Sequence, residues 1–273
     1  MKLTGKTAIV TGGGTGIGES ISLKLAARGV NVIVNYSRSR AEAEDTARRC
    51  ATLGVTSAAI RADVGEDADC RRLAKDALEL TGSVDILVNN AGTSKFARHS
   101  DLEALSGEDY LAIYKTNVVG AYQMIRAVTP AMKRDGWGAI VNVASIAGLF
   151  GIGSSSAYAS SKGALITLTK SMARALAPEI RVNAICPGFV GTRWFKDRMS
   201  PEAYATLVKR VEDGTPLAHA GTADEVADGV VFFCAEGAAL VTGETLLMDA
   251  GAPGSHAGAR VLSGPADNYL QGN

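Results

Sequence analysis

The chain is predicted to fold as a doubly wound α/β domain, with a seven-stranded parallel sheet and helices on both faces. Three observations predict it. Short apolar runs rich in β-branched residues recur along the 273 residues. Stretches rich in Ala, Glu, Lys and Arg at helical spacing separate most of them. The first run empties into a glycine-rich turn that opens a helix. Strands separated by helices of this length give βαβ units with right-handed crossovers. In such a sheet a ligand binds beyond the carboxyl ends of the strands.

The elements follow in order. Lys6 to Thr11 reads as a buried strand, with its apolar run at Ala8–Thr11. It runs into Gly12-Gly13-Gly14-Thr15-Gly16-Ile17-Gly18, and Ile21 and Leu25 continue at helical spacing. Glycines suit a tight turn that backbone and pyrophosphate must approach closely, and the helix behind it offers unpaired N–H groups and a positive dipole end. Gly12, Gly14, Thr15, Gly16, Ile17 and Gly18 are therefore candidate phosphate-binding residues. A second strand, Val32–Tyr36, leads to a helix at Arg40–Leu53, and a third, Ser57–Arg61, to one at Asp67–Leu80. The fourth strand, Ile86–Asn89, is followed by Asn90-Ala91-Gly92 and a long helix over Gly107–Lys133. Ile140–Ala144 ends at Ser145, ahead of a helix at Ala157–Ala177. Val182–Cys186 ends at Pro187-Gly188, and Thr245–Asp249 closes the set.

Two regions break the alternation. Val190–Pro216 carries Trp194, Phe195 and Met199 and a polar helical stretch from Pro201 to about Glu212. A long insertion between strand and helix in a compact domain is usually functional. The tail from Ala252 is rich in Gly, Ala, Ser and Pro. The expected organisation is one domain over residues 1–251, with a flap at about 190–216 and an extension at 252–273.

Lys plus Arg and Asp plus Glu number 28 each, for a formal net charge of zero. Neither half is strongly basic, which argues against nucleic acid as the main partner. No apolar leader precedes the first strand, and no apolar run approaches the roughly 18–20 residues of a membrane span. Cys50, Cys70, Cys186 and Cys234 are scattered without C-x-x-C spacing, which suggests neither a disulfide framework nor a metal site. A cytoplasmic protein that engages no membrane is expected.

The chemistry-bearing pair is Tyr158 and Lys162, four residues apart in Tyr-Ala-Ser-Ser-Lys. One helical turn places both on the same face. An ammonium beside a phenol is expected to lower the phenol's pKa, so that it exchanges a proton near neutral pH. That chemistry protonates a carbonyl oxygen, or deprotonates an alcohol, while hydride moves at carbon. At the end of the second strand the chain reads Asn35-Tyr36-Ser37-Arg38-Ser39-Arg40, with no carboxylate before Glu42. An NAD site places an acid there for the ribose 2′-hydroxyl, whereas an NADP site needs a cation for the 2′-phosphate. Arg38, assisted by Tyr36, Ser37 or Ser39, therefore points to NADP, and Arg40 reads as a solvated charge.

Taken together, T-G-x-x-x-G-x-G from Thr11, Asn89-Asn90-Ala91-Gly92, Asn117, Ser145, Tyr158, Lys162 and Pro187-Gly188 resemble the short-chain dehydrogenase/reductase family over about Leu3 to Gly251. The resemblance implies a Rossmann domain and a role for each site residue. Ser145 holds the substrate oxygen, although at a strand end its hydroxyl could simply satisfy backbone. Tyr158 is the general acid or base, and Lys162 also holds the nicotinamide ribose. Asn117 holds a proton-relay water, the alternative being a polar residue that only bends its helix. Asn89, Ala91 and Gly92 support the sheet centre and touch the adenosine ribose. Asp63 and Val64 meet the adenine, with a helix N-cap as the alternative for Asp63. Pro187, Gly188, Val190 and Thr192 bind the carboxamide, although Thr192 could be an ordinary loop residue. Residues 190–216 become a flap over the substrate, and the assembly a homotetramer.

Three functions are compatible with these motifs. The first is an NADP(H)-dependent oxidoreductase acting on a small carbonyl or alcohol. The second is a 3-oxoacyl-acyl-carrier-protein reductase, against which Pro178-Glu179 and Gly136-Trp137-Gly138-Ala139 weigh, since both places are commonly basic in such members. The third is a non-catalytic NADP-binding sensor or scaffold, which predicts an eroded Ser, Tyr or Lys.

Overall fold

The computed structural model describes residues 3–252. Seven parallel strands form one sheet in the order β3-β2-β1-β4-β5-β6-β7. They are β1 (Thr7–Val10), β2 (Asn31–Tyr36), β3 (Ser57–Arg61), β4 (Ile86–Asn89), β5 (Gly138–Val143), β6 (Ile180–Pro187) and β7 (Thr245–Met248). The order reverses between β1 and β4, so a crevice opens there at the carboxyl ends. Each expected strand is present: β3 and β4 keep their expected bounds, and the others shift by a residue or two at one or both ends.

Both sheet faces are covered, which explains why the strands read as continuous apolar runs rather than alternating ones. Ala8, Val10, Val32, Val34, Ile86 and Val88 point into one core, with Ile21 and Leu25 of α1 (Gly16–Ala26), Ala43 and Ala47 of α2 (Arg40–Ala51), and Val230 and Phe233 of α10 (Ala223–Cys234). The alternate residues Ile9, Ile33, Leu87, Ile140 and Val182 point the other way. They meet Leu73 of α3 (Asp67–Thr81), Met124 and Val128 of α5 (Gly120–Arg134), and Ala173 of α7 (Ser156–Ala175). The four cysteines are buried and unpaired, and burial pushes the Cys50 thiol up to about 11 and that of Cys70 to about 12.

The helix expected over Gly107–Lys133 is not continuous. α4 (Gly107–Tyr114) passes into a π-helical turn at Lys115–Val119 before α5 begins. Short helices α6 (Ala147–Phe150) and α8 (Arg193–Lys196) and the longer α9 (Pro201–Gly214) are also present, α8 and α9 lying in the segment for which a flap is expected. No helix of the described residues is long and apolar enough to cross a membrane. The extension expected at 252–273 lies, beyond Ala252, outside the described residues.

Candidate active site

A cleft of about 2440 Å³ crosses the carboxyl ends of the strands. Single-ligand pockets run about 300–1,000 Å³, so this one has room for a dinucleotide and a second molecule. Gly12, Gly14, Thr15, Gly16 and Ile17 line it. Gly12 and Gly16 adopt φ of +60° and +56°, the left-handed region that strains other residues. A Cβ on Gly14 would lie 2.6 Å from the Ala43 Cα. Thr15 is the N-cap of α1, yet its side chain takes none of the helix amides. Those amides and the positive helix end face the cleft, which is the arrangement a pyrophosphate requires. Gly18 does not line the cleft. A Cβ there would stand 2.2 Å from the Gly12 carbonyl oxygen, so this glycine lets α1 pack against the turn.

At the far end Tyr36, Ser37, Arg38 and Ser39 line the cleft after β2. Arg40 is occupied by Glu44 at 2.6 Å, in keeping with a solvated helix charge. Arg38 is exposed, and its guanidinium makes no ion pair among the described residues. Asp63 and Val64 also line this end. Asp63 is not a helix cap: its Oδ1 accepts from Gly65 N at 2.9 Å, and the α3 N-cap falls on Glu66.

Ala91 and Gly92 line the cleft, but Asn89 does not. Asn89 is buried and donates to Asn142 Oδ1 at 2.9 Å, so it supports the sheet centre only. The neighbouring Asn90 takes the cleft position, its amide donating to Thr11 O at 2.9 Å and Gly12 O at 3.1 Å. Asn35 works from the other side, accepting from Gly12 N at 3.3 Å and donating to Ala62 O at 3.0 Å. These two asparagines hold the glycine turn against the sheet. The clue available in sequence was a polar residue at or just past the end of an apolar strand, in both cases.

Ser145 follows β5, and Tyr158 and Lys162 project from α7 into the same end of the cleft, beside Pro187, Gly188, Val190 and Thr192. The Lys162 Nζ lies 5.6 Å from the centre of the Tyr158 ring and donates to Val143 O at 2.7 Å. Burial pushes the Tyr158 phenol up to about 12, and the pull downward comes from a hydrogen bond to Ser145. The net shift therefore runs opposite to the one expected from the neighbouring ammonium, because burial outweighs it, and burial also depresses Lys162 itself, to about 8. Ser145 Oγ also accepts from Ala147 N at 3.1 Å, so its hydroxyl serves backbone and site together. Thr192 caps α8, accepting from Trp194 N at 3.4 Å.

Asn117 lies behind the cleft wall rather than on it. Its Oδ1 accepts from Thr93 N at 2.8 Å, and its Nδ2 donates to Thr93 O and Ser161 Oγ, each at 3.0 Å. Ser161 in turn donates to Tyr158 O at 2.7 Å. A Cβ on Gly92 would sit 3.5 Å from Asn117 Oδ1 and 3.6 Å from Lys162 Nζ, so Asn117 and Lys162 flank the same glycine.

Over the reacting end stands Trp194, expected from the 190–216 insertion, together with Phe96 and Arg198, which no sequence pattern singled out. The Trp194 ring packs 5.8 Å from Tyr158 and 6.0 Å from Phe96. Arg198 covers Phe96 at 4.9 Å and Trp194 at 5.3 Å. The flap is tied across the cleft by Arg193, which reaches Glu42 of α2 at 2.9 Å.

Comparison with known proteins agrees with this geometry. The sequence family described as enoyl-(acyl carrier protein) reductase matches residues 12–253. A Streptomyces violaceoruber protein named as ketoacyl reductase 2 of the granaticin polyketide synthase is 39% identical over 90% of this chain and 95% of its own. The 3-oxoacyl-acyl-carrier-protein reductase FabG of Staphylococcus aureus is 36% identical, over 92% of this chain and 99% of its own. Among solved structures, a 7α-hydroxysteroid dehydrogenase complexed with NADH and 7-oxo glycochenodeoxycholic acid superposes with a TM-score of 0.85 at 31% identity, covering 92% of this chain and 95% of that one.

Proposed function

The chain belongs to the short-chain dehydrogenase/reductase family, an oxidoreductase acting on CH–OH and C=O groups, and from that premise we propose that it is an NADP(H)-dependent carbonyl reductase with Tyr158 as the proton donor. The observation that carries this reading is the convergence of Ser145, Tyr158 and Lys162 at one end of a cleft whose other end is a glycine turn. The cradle fits a dinucleotide, since Gly14 has no room for a side chain and the α1 amides are uncapped. A nicotinamide bound there supplies the hydride.

The chain's own groups then handle the oxygen. Ser145 and Tyr158 present hydroxyls to a carbonyl oxygen, and Tyr158 gives up its proton as the carbon becomes an alcohol. Lys162 stands beside the phenol and steadies the phenolate that this leaves. Arg38, which makes no ion pair among the described residues, supports NADP over NAD, as does the lack of a carboxylate at the end of β2.

A second substrate reading, a 3-oxoacyl thioester on a carrier protein, is favoured by the names of the two curated relatives. Pro178-Glu179 and Gly136-Trp137-Gly138-Ala139 remain departures from it. For either substrate we expect a homotetramer.

The test follows NADPH and NADH oxidation against an acetoacetyl thioester, diketones, ketoses and cyclic ketones. Turnover with NADPH well above NADH is expected. Tyr158→Phe should keep NADPH affinity and lower kcat by about 10²–10⁴, the usual yield of a positioned acid. Wild-type rates in that variant would remove Tyr158 from the chemistry. NADPH binding without turnover of any compound would leave only the sensor reading.

A further inference from the structure

The substrate end of the cleft is unevenly charged. Of the acids that line it, Asp197 is held by Arg193 at 3.0 Å and Glu225 by His219 at 2.8 Å. Asp249 lies on the floor beside Gly188, its Oδ1 accepting from Gly251 N at 2.9 Å. Two of the cations there are not matched in the same way. Arg98 and Arg198 both line the cleft, both are exposed, and neither pairs with a carboxylate among the described residues.

Arg198 is also held in place. Its guanidinium lies over the Phe96 and Trp194 rings, and its Nη1 donates to Trp194 O at 2.5 Å. Stacking on two rings removes much of the freedom an exposed arginine otherwise keeps, and so lowers the entropy lost when it engages a ligand. A guanidinium carries five N–H donors, and only one is taken by the backbone here. The remaining fork stands one aromatic ring away from Tyr158.

We infer that Arg198 recognises an anionic group, a carboxylate or a phosphate, carried by the carbonyl substrate. The body of that substrate lies along Trp194 and Phe96, with its carbonyl at Tyr158 and Ser145 and its anion at the flap. Arg198 is thus a specificity residue, acting on which carbonyl compound binds rather than on the proton transfer. The inference rests on the carbonyl-reductase reading above.

Two matched pairs of compounds test it and separate the two sources of anion. In one, 4-oxopentanoate is set against its neutral methyl ester. In the other, acetoacetyl-coenzyme A, which carries phosphates, is set against the neutral N-acetylcysteamine thioester. The charged member of one pair should show kcat/KM about tenfold above its neutral partner, mainly through KM, as a charge-assisted hydrogen bond provides. The pair that shows it identifies the anion. Arg198→Met, which keeps bulk over the rings, should bring that ratio toward one, and Arg198→Lys should restore part of it. A second readout needs no turnover. Of the two tryptophans, Trp194 faces the cleft, so the charged compound should alter its fluorescence at lower concentration in the wild type than in Arg198→Met.

A wild type without charge preference in either pair, or an Arg198→Met variant that loses charged and neutral substrates equally, overturns the inference and leaves the reductase reading standing. Failure of all four compounds and of the wider ketone panel, with NADPH bound, overturns the reductase reading itself.

Discussion

Tyr158 and Lys162 are buried together, and burial moves their proton affinities in opposite directions. The phenol, at about 12, holds its proton through the whole working range. The ammonium, at about 8, loses its proton within that range. Reduction needs a proton on Tyr158 and a positive charge beside the phenolate it becomes. The first is present at any ordinary pH, and the second disappears as pH rises through about 8. kcat/KM for carbonyl reduction should therefore be level below that point and fall above it. A profile flat to pH 10 would mean that the charge on Lys162 is not used. Tyr158, Lys162, Gly12, Gly14 and Gly16 were legible in sequence from short-range spacing, and Ser145 through the resemblance that those motifs carry. Asn90, Asn35 and Arg198 were not, because the role of each depends on contacts with distant parts of the chain. The direction of the Tyr158 shift was misjudged for the same reason: spacing shows a neighbouring charge but not the exclusion of water.

At the scale of elements, the strand-turn-helix unit β1–α1 depends on a glycine inside the helix. Alanine is ordinarily better than glycine in a helix interior by about 1 kcal/mol. At Gly18 the sign should reverse, since the added methyl would stand 2.2 Å from the Gly12 oxygen and 2.5 Å from the Asn90 amide. Backbone cannot yield as a flexible side chain does, so Gly18→Ala should cost about 1–3 kcal/mol, the range of overpacked cores. For a chain of this size that is several degrees in Tm, and NADPH affinity should fall with it. Gly107→Ala is the control: nothing lies within 4 Å of its Cβ position, and it opens α4. That variant should hold or slightly raise Tm. Thermal denaturation of the two variants decides whether the clash or helix propensity governs Gly18. Helix and strand positions were largely legible, since a long apolar period survives small errors at the ends. The break between α4 and α5 was legible only as the alternative reading of Asn117, a polar residue that bends its helix. Asn117 spends its amide on Thr93 and Ser161 instead of leaving the helix regular, and only the folded partners reveal that choice.

At the scale of the molecule, large apolar side chains stay exposed on two groups of contacting elements, among others along the chain. Leu111 of α4 (65% exposed), Val119 and Tyr122 of α5 (43%) belong to the first. Phe232 of α10, Leu240 and Leu246 of β7 belong to the second. β7 ends the sheet, so one side of it has no strand partner among the described residues. A single isologous contact would cover one of these groups and leave the other wet. Two different isologous contacts would cover both, and together they would close a tetramer of dihedral symmetry. Light scattering on the purified protein should therefore give four times the chain mass. Leu246→Glu places a carboxylate on the exposed face of the edge strand, where its partner copy would stand. It should convert the tetramer to a dimer through the surviving α4–α5 contact, whereas Leu246→Met should leave it intact. A wild-type monomer would remove both contacts. A Leu246→Glu variant that stays tetrameric would move the second interface away from β7, to surfaces the exposed Phe232 and Leu240 do not mark.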